Sequence, residues 1–105
     1  MNVVILEKDI QRSILDYLAL KRVFHWRNNT GAFKGEHNGK TRFVKYGTLG
    51  SPDIFALHKG ILYGIEVKRP GGKQTEGQRL FEFDMTQNGG VYRIAQSIDD
   101  IKDLF

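Results

Sequence analysis

The chain has 105 residues, 40% of them hydrophobic and 27% charged, proportions that are typical of a globular protein and exclude a disordered chain or a coiled coil. This length predicts a single domain over residues 1–105 with a core of its own. The sequence contains no cysteine, which excludes disulfides and thiolate metal sites and favours a cytoplasmic location, and its net charge of +4 suits an anionic partner such as nucleic acid.

The first predicted element is an amphipathic helix over residues 5–20. Glu7 falls on its apolar stripe, and two interpretations of this acid stay open: an inward-facing carboxylate, or an ordinary first-turn acid stabilised by the helix dipole. The apolar run before the helix is too short to span a membrane, so we expect no membrane partner. The residues that form the stripe, at spacings of three and four, are Ile10, Ile14, Leu15 and Leu18.

The next segment combines one short strand with a stretch rich in glycine. Residues 23–27 mix aromatic and β-branched side chains, which predicts a strand. Residues 28–39 carry three glycines among polar side chains, a composition typical of a long mobile loop. Residues 42–46 favour a short extended piece that carries basic side chains.

Two strand-like runs, at residues 53–58 and 61–68, predict an antiparallel hairpin with a tight Lys-Gly turn. In a hairpin the start of the first strand lies beside the end of the second, so Asp53 is expected to meet Glu66 and Lys68. Charged residues of these types are rarely buried, and their placement in apolar strands requires a partner or a metal ion. The open end of the hairpin is therefore the candidate active site.

The remaining elements are two helices and one strand. Thr75 and Gln78 form the capping-box pattern of a second helix that ends near residue 87. A strand is predicted at residues 91–95, and Ser97 is expected to cap a last short helix. The predicted order is αβββαβα, an α/β fold in which helices flank a mixed sheet.

The charged end of the hairpin suits metal-dependent hydrolysis of phosphodiester bonds. Hard oxygen ligands bind Mg²⁺ and leave positions open for water and phosphate, so Asp53, Glu66 and the Val67 carbonyl are the expected ligands. Lys68 is placed to orient or help deprotonate the attacking water and to offset negative charge at phosphorus. The alternative for the same residues is a solvated salt-bridge cluster without chemistry.

Basic residues in the middle of the chain are the expected phosphate contacts. A glycine-rich turn over residues 69–73 follows the hairpin, but it lacks the spacing of a phosphate-binding loop, so no nucleotide cofactor is expected. The residues expected to bind nucleic acid are Arg27, Lys34, Lys40, Arg42, Lys45, Arg69 and Lys73.

These motifs resemble those of a known nuclease superfamily. Pro52-Asp53 and the later Glu66-Val67-Lys68 look like the two halves of the PD-(D/E)XK signature. More narrowly, the sequence is similar to the VRR-NUC family through an ordered set of motifs, and the match runs from the first helix to the C-terminus. The motifs are residues 50–54, residues 66–68, Gly72-Lys73, Gln78, Phe81 and residues 89–92.

The resemblance implies a restriction-endonuclease-like core and a Mg²⁺-dependent deoxyribonuclease in which Mn²⁺ substitutes. It implies Glu7, Asp53 and Glu66 as metal ligands, Lys68 as a catalytic residue and Gln78 as a catalytic-site support from the second helix. The family includes large DNA repair nucleases with added domains and small free-standing members, often from phages and prophages. The small members act as homodimers on branched DNA such as Holliday junctions. We expect a free-standing member in the cytoplasm of a bacterial or phage-infected cell.

Size is a separate reason to expect a homodimer, because a domain of 105 residues presents little surface to a duplex and two-fold pairing doubles its basic face. Three alternatives are a catalytically silent DNA-binding domain of the same fold, a nuclease acting on flaps or linear DNA, and a structural interaction protein. The charged set of Asp53, Glu66 and Lys68 argues against the silent domain, which has no need to retain three desolvated charges.

Overall fold

The computed structural model describes residues 4–29, 31–37 and 39–105, with only the backbone described for residues 31–37 and 41–46. Helix α1 spans Glu7–Leu20 and helix α2 spans Glu76–Gln87. Neither of these described helices is long and apolar enough to cross a membrane. The strands are β1 (Phe24–Arg27), β2 (Gly31–His37), β3 (Lys40–Tyr46), β4 (Ile54–His58), β5 (Ile61–Val67) and β6 (Val91–Ala95), and a 3-10 turn covers Ile98–Asp100.

Four of the strands form one mixed sheet in the order β1-β4-β5-β6. Strand β4 is antiparallel to both of its neighbours, β1 and β5, whereas β6 runs parallel to β5. The parallel pair requires a crossover connection, which α2 supplies. The predicted α/β class and mixed sheet are thereby confirmed.

One face of the sheet carries the core and is covered by α1. The predicted apolar stripe of the helix is buried at Ile10, Ile14 and Leu18, which cluster with alternate residues of the central strands, among them Ile54 and Ile65. Side chains of a strand alternate between faces, so the residues between these point to the other side. The face that carries Glu66 is therefore the one beneath α2.

Helix α2 lies on that second face and buries no residue completely. It approaches the sheet at Gly64, where an added Cβ would lie 2.7 Å from Pro52 Cγ and 3.0 Å from Met85 Sδ. Farther along the face, the rings of Phe55 and Phe81 have centroids 6.4 Å apart. The absence of a side chain at Gly64 thus lets the helix sit low over β5.

The hairpin of β4 and β5 was expected, and its register confirms a turn at Lys59-Gly60, since His58 is paired with Ile61. Helix α2 and its capping box are also confirmed. The last helix is shorter than predicted: Ser97 precedes a three-residue 3-10 turn, and its side chain makes no capping hydrogen bond. Three residues close too few backbone hydrogen bonds to form an α-helix.

The mobile loop expected over residues 28–39 is wrong at residues 31–37, which form strand β2. Strand β2 pairs antiparallel with β3 in a separate two-stranded sheet, and the extended piece predicted at residues 42–46 is part of β3. The order is therefore αβββββαβ followed by a 3-10 turn, with one hairpin more than predicted. The sequence carries a signal for this hairpin, because Asn38 precedes Gly39, whose φ of 74° is the left-handed conformation of a tight turn.

The loop before β4 requires a glycine at position 50, and this requirement can be tested. Its φ is 80°, and an added Cβ would collide with the carbonyl oxygen of Gly77 at the start of α2. We expect Gly50→Ala to lower the free energy of unfolding by about 3 kcal/mol or more, because it adds a steric clash to left-handed strain. Urea unfolding followed by circular dichroism measures the loss.

Gly60→Ala is the matched control for this prediction. Gly60 has an almost identical φ of 81°, but nothing lies within 4 Å of the position of its added Cβ. Strain alone should cost about 1–2 kcal/mol there. Equal losses in the two variants would contradict the close packing of the Gly50 loop against α2.

Candidate active site

The Asp53 backbone is held by a group of short hydrogen bonds centred on Asn28. The main-chain nitrogen of Asn28 donates to the Asp53 carbonyl at 2.7 Å, and its side chain donates to Ser51 Oγ at 2.8 Å and to the Pro52 carbonyl at 2.9 Å. Ser51 Oγ in turn donates to the Thr48 carbonyl at 2.6 Å. The sequence alone did not predict that Asn28 positions Asp53, because Asn28 was assigned only to the loop over residues 28–39.

The Asp53 side chain ties the start of β4 to the end of β5. Its Oδ2 accepts a hydrogen bond of 2.8 Å from the main-chain nitrogen of Val67. This contact agrees with the hairpin geometry predicted from the sequence, in which Asp53 meets Glu66 and Lys68. Because the donor is a backbone group, the position of the Asp53 carboxylate is set by the sheet itself.

Glu66 is the most unusual side chain of the site, since it is a carboxylate with 4% exposure. Its Oε1 accepts a hydrogen bond of 3.1 Å from Gln78 Nε2, whereas its Oε2 is buried and has no hydrogen-bond partner in the part of the chain that the structure describes. Burial, followed by the nearby charge of Asp53, raises the pKa of Glu66 to about 8. The negative charge of Glu7 adds a smaller increase.

The pair of Asp53 and Glu66 has too little positive charge around it. Two ionised carboxylates offer only acceptors, so they hydrogen bond to each other only when one of them carries a proton. The alternative to the proton is a cation that both oxygens contact. The buried Oε2 of Glu66 fits a cation, because among the described residues the positive charge of Lys68 offsets the negative charge only in part.

Gln78 joins the capping box of α2 to Glu66. Its main-chain nitrogen donates to Thr75 Oγ1 at 3.2 Å, and its Oε1 accepts from the Thr75 main-chain nitrogen at 2.9 Å. With the carbonyl end of the amide occupied by the cap, the Nε2 end is directed at Glu66. The helix cap therefore fixes the orientation of a side chain in the candidate site.

Glu7 borders the site without being buried in it. The side chain is exposed, in the first turn of α1, and it lines a crevice of about 210 Å³ together with Asp53, Val67, Lys8 and Gln11. Both interpretations of Glu7 thus retain support: it is a first-turn acid, and it faces the crevice. In the described part of the chain, no three His, Cys, Asp or Glu side chains converge as a metal-binding group.

Lys68 lies directly beyond the last residue of β5 and is half-buried. Its main-chain nitrogen donates to the Ala95 carbonyl at 3.0 Å, which extends the pairing of β5 with β6 by one residue. The positive charge of Lys68 lowers the pKa of Glu66, but by less than burial and Asp53 raise it. One lysine therefore offsets only part of the negative charge.

The predicted nucleic-acid contacts divide into two groups. The first group is exposed, and it comprises Arg27, Lys40, Arg69 and Lys73. The side chains of Lys34, Arg42 and Lys45 lie outside the described residues. Lys8 was not among the predictions, yet it lines the crevice beside Asp53. The feature of the sequence that could have identified Lys8 is its position, one residue after Glu7 in the first turn of α1.

Comparison with protein-family models and with curated proteins finds no match to this chain. The resemblance to the VRR-NUC family thus stays a prediction from the motifs. The features of the chain that bear on its function are the paired carboxylates, Lys68 and the residues that position them.

The raised pKa of Glu66 predicts a pH-dependent stability of the metal-free protein. Above the ordinary pKa of 4.5 the unfolded chain releases this proton, while the folded protein retains it until about pH 8. Stability therefore falls as the pH rises from about 4.5 towards 8. We expect Glu66→Gln, whose amide donates to Asp53, to melt about 5 °C or more above the native protein at pH 8.

The same comparison at pH 5 is the internal control, because the native Glu66 is then protonated and the advantage of the variant should shrink. Glu76→Gln, at an exposed position in the first turn of α2, loses a favourable interaction with the helix dipole and should lower the melting temperature by a similar small amount at both pH values. Thermal unfolding in the presence of EDTA measures all three proteins. An advantage of Glu66→Gln that is equal at pH 5 and pH 8 would contradict the raised pKa.

Proposed function

We propose that this chain is a metal-dependent DNA endonuclease of the VRR-NUC family with a restriction-endonuclease-like core. It hydrolyses phosphodiester bonds in branched DNA, such as Holliday junctions, and acts as a homodimer. The observation that carries the proposal is the buried Oε2 of Glu66, which has no partner and lies in a site that Asp53 also makes negative. Such a group is costly to retain unless a cation binds to it.

The donor set fits Mg²⁺, with Mn²⁺ as a substitute, because it consists of hard oxygen ligands. Asp53 and Glu66 would hold the ion, with Glu7 and the Val67 carbonyl as the further ligands that the family resemblance and the hairpin suggest. When bound, the ion supplies a Lewis acid for the phosphate and lowers the pKa of an attacking water. A cation here would also reverse the raised pKa of Glu66.

The remaining steps belong to side chains of this chain. Lys68 orients the water, which releases a proton to solvent as its oxygen forms the new bond to phosphorus, and the ammonium group of Lys68 offsets the charge that develops there. Gln78 holds Glu66 in place through its fixed amide. The sugar oxygen then leaves as its bond to phosphorus breaks, and it takes up a proton from solvent.

The surroundings of the site support an anionic substrate. Arg69 and the glycine-rich turn line a groove of about 440 Å³ directly after Lys68. Three basic residues, Lys8, Arg12 and Arg27, line a second hollow of about 510 Å³ beside α1, together with the acidic residues Asp9 and Asp16. Basic side chains on both sides of a carboxylate pair bind the DNA backbone and leave the carboxylates for the metal.

A cleavage assay with four-way junction, flap and linear duplex DNA tests this function. We expect cleavage of the junction with Mg²⁺ or Mn²⁺, none with EDTA, and a loss of about 100-fold or more in Lys68→Ala, because the lysine acts on the transition state. Lys21→Ala is the matched control, since this exposed lysine lies at the far end of α1. Its activity should equal that of the native protein.

Four outcomes would overturn parts of the proposal. Cleavage in EDTA, or full activity of Lys68→Ala, would exclude the mechanism. Equal cutting of linear duplex would remove the selectivity for branched DNA. Tight binding of the junction without cleavage under any metal would favour the catalytically silent DNA-binding domain.

A second pair of variants separates the two roles of Gln78. Gln78→Ala removes the hydrogen bond to Glu66 as well as half of the capping box, and we expect activity to fall about 10- to 100-fold. Thr75→Ala removes the hydroxyl cap, at a cost of about 1 kcal/mol in stability, but leaves the amide beside Glu66. When both variants are assayed below their melting temperatures, only Gln78→Ala should therefore cleave DNA more slowly than the native protein. Equal rates would show that Gln78 acts only as a cap.

A further inference from the structure

Helix α2 covers only half of the sheet face on which it lies. Strands are spaced by about 4.8 Å and a helix with its side chains is about 10 Å wide, so one helix spans two strands of four. Helix α2 lies over β5 and β6, where Gln78 contacts Glu66 and Met85 lies against Gly64 and Gly90. The half formed by β1 and β4 has no second helix above it among the described residues.

The uncovered half is apolar. Cross-strand pairing places Phe24 beside Leu57 and Trp26 beside Phe55 on this face, and Leu57 is paired in turn with Leu62 of β5. Phe24 is 67% exposed and Trp26 is 42% exposed. We call this surface, formed by Phe24, Trp26, Phe55, Leu57 and Leu62, the open half-face.

A groove of about 540 Å³ runs between the open half-face and α2. Phe55 and Leu62 line its floor, and Phe81, Asp84 and Met85 of α2 line its wall. Exposed apolar surfaces of this kind mark interaction sites on soluble domains.

A second apolar surface lies on the outer side of α2. Leu80 is 60% exposed and Phe83 is 61% exposed. They are three residues apart and point away from Gln78, Phe81 and Met85, which face the sheet, so they form one patch on the outer side. An amphipathic helix normally carries polar residues there. The helix is therefore apolar on two sides while its own sheet covers only one.

We propose that the open half-face is covered by α2 of a second copy of this chain. A two-fold axis parallel to α2 places the two helices side by side between the two sheets. Each helix then fills the empty half of the other sheet, and Leu80 and Phe83 of each copy lie on the open half-face of its partner. The same surface serves both copies, which is the condition for an isologous dimer.

The exposed apolar area of each copy is large enough for an interface with a second copy of the chain. Large apolar side chains have areas of roughly 150–250 Å², so the exposed fractions of the open half-face and of Leu80 and Phe83 add up to on the order of 600 Å² per copy. A standard stable interface buries about 800 Å² per partner, of which the apolar centre is the larger part. The two apolar surfaces together are large enough for the core of such an interface.

Charge at the rim is also complementary. Asp84 borders the groove near the C-terminal end of α2, where Gly60 lies opposite. Lys59 and Arg22 are exposed at the same end of the open half-face, because Lys59 forms the turn after β4 and Arg22 precedes β1. In the proposed dimer the partner's helix runs in the same direction, so the two copies of Asp84 lie on either side of the two-fold axis, each towards the basic rim of the other copy.

This interface rests on the proposed function and specifies which surfaces meet in its homodimer. Gln78 marks the active-site end of α2, and the parallel arrangement brings both such ends to one side of the dimer. Two carboxylate pairs on one side match the two strands that are cut in a four-way junction. This interface is measured without DNA or metal, so a monomeric chain would remove the interface and the homodimer but not the metal-dependent cleavage, whereas an inactive dimer would leave the interface standing.

Light scattering after size-exclusion chromatography tests the interface. We expect the native chain to be a dimer at about 100 μM, and we expect Phe83→Glu and Leu80→Glu to weaken the dimer about 30-fold or more, as loss of a central apolar contact does. Both positions are exposed, so the variants should fold. The matched control is Leu20→Glu, which is 81% exposed at the end of α1 on the other face of the sheet, and it should remain a dimer.

Cross-linking gives a second measurement, because the native chain has no cysteine. A tagged Phe83→Cys variant mixed with Leu57→Cys should form cross-linked heterodimers with a short bismaleimide, whereas Leu20→Cys mixed with Leu57→Cys should not. A native chain that is monomeric at about 100 μM would overturn the interface. So would a dimer that Leu20→Glu disrupts as strongly as Phe83→Glu, or equal cross-linking of the two mixtures.

Discussion

The carboxylate of Glu66 is buried beneath α2 beside Asp53, and the elements around it are arranged so that a charge can be held there. Strand β5 sets its position, and the capping box of α2 directs Gln78 at one of its oxygens. The other oxygen has no partner, and burial raises the pKa of the group to about 8. A desolvated carboxylate of this kind opposes folding unless a proton or a cation neutralises it. Stability and the proposed metal binding therefore depend on the same atom.

Helix α2 has three roles that follow from its position on half of the sheet. Its first turn holds Gln78 against Glu66, and close contact with the loop at Gly50 fixes where that turn lies. Its outer side carries Leu80 and Phe83, which the sheet of the same chain does not cover. In the proposed dimer these residues would cover the partner's open half-face. A single helix thus connects the candidate catalytic centre to the proposed interface.

Local sequence patterns were sufficient to predict the elements that depend on residues close together in the chain. The stripe of α1 and the capping box at Thr75 depend on residues three and four positions apart, and both are confirmed. The hairpin at Lys59-Gly60 depends on a tight turn between two apolar runs. The hairpin of β2 and β3 was missed because its glycines interrupt any alternation, and only cross-strand pairing shows that the segment is extended.

The sequence by itself determined the α/β class and brought Asp53, Glu66 and Lys68 to one end of a hairpin, because strand pairing around a tight turn leaves little choice of geometry. Only the tertiary structure decided that Glu66 is buried with one oxygen unpartnered, since burial depends on where α2 lies over the sheet. It also decided that Asn28 holds the Asp53 loop and that half of the sheet is open. These features join residues far apart in the chain, and no local spacing encodes such contacts.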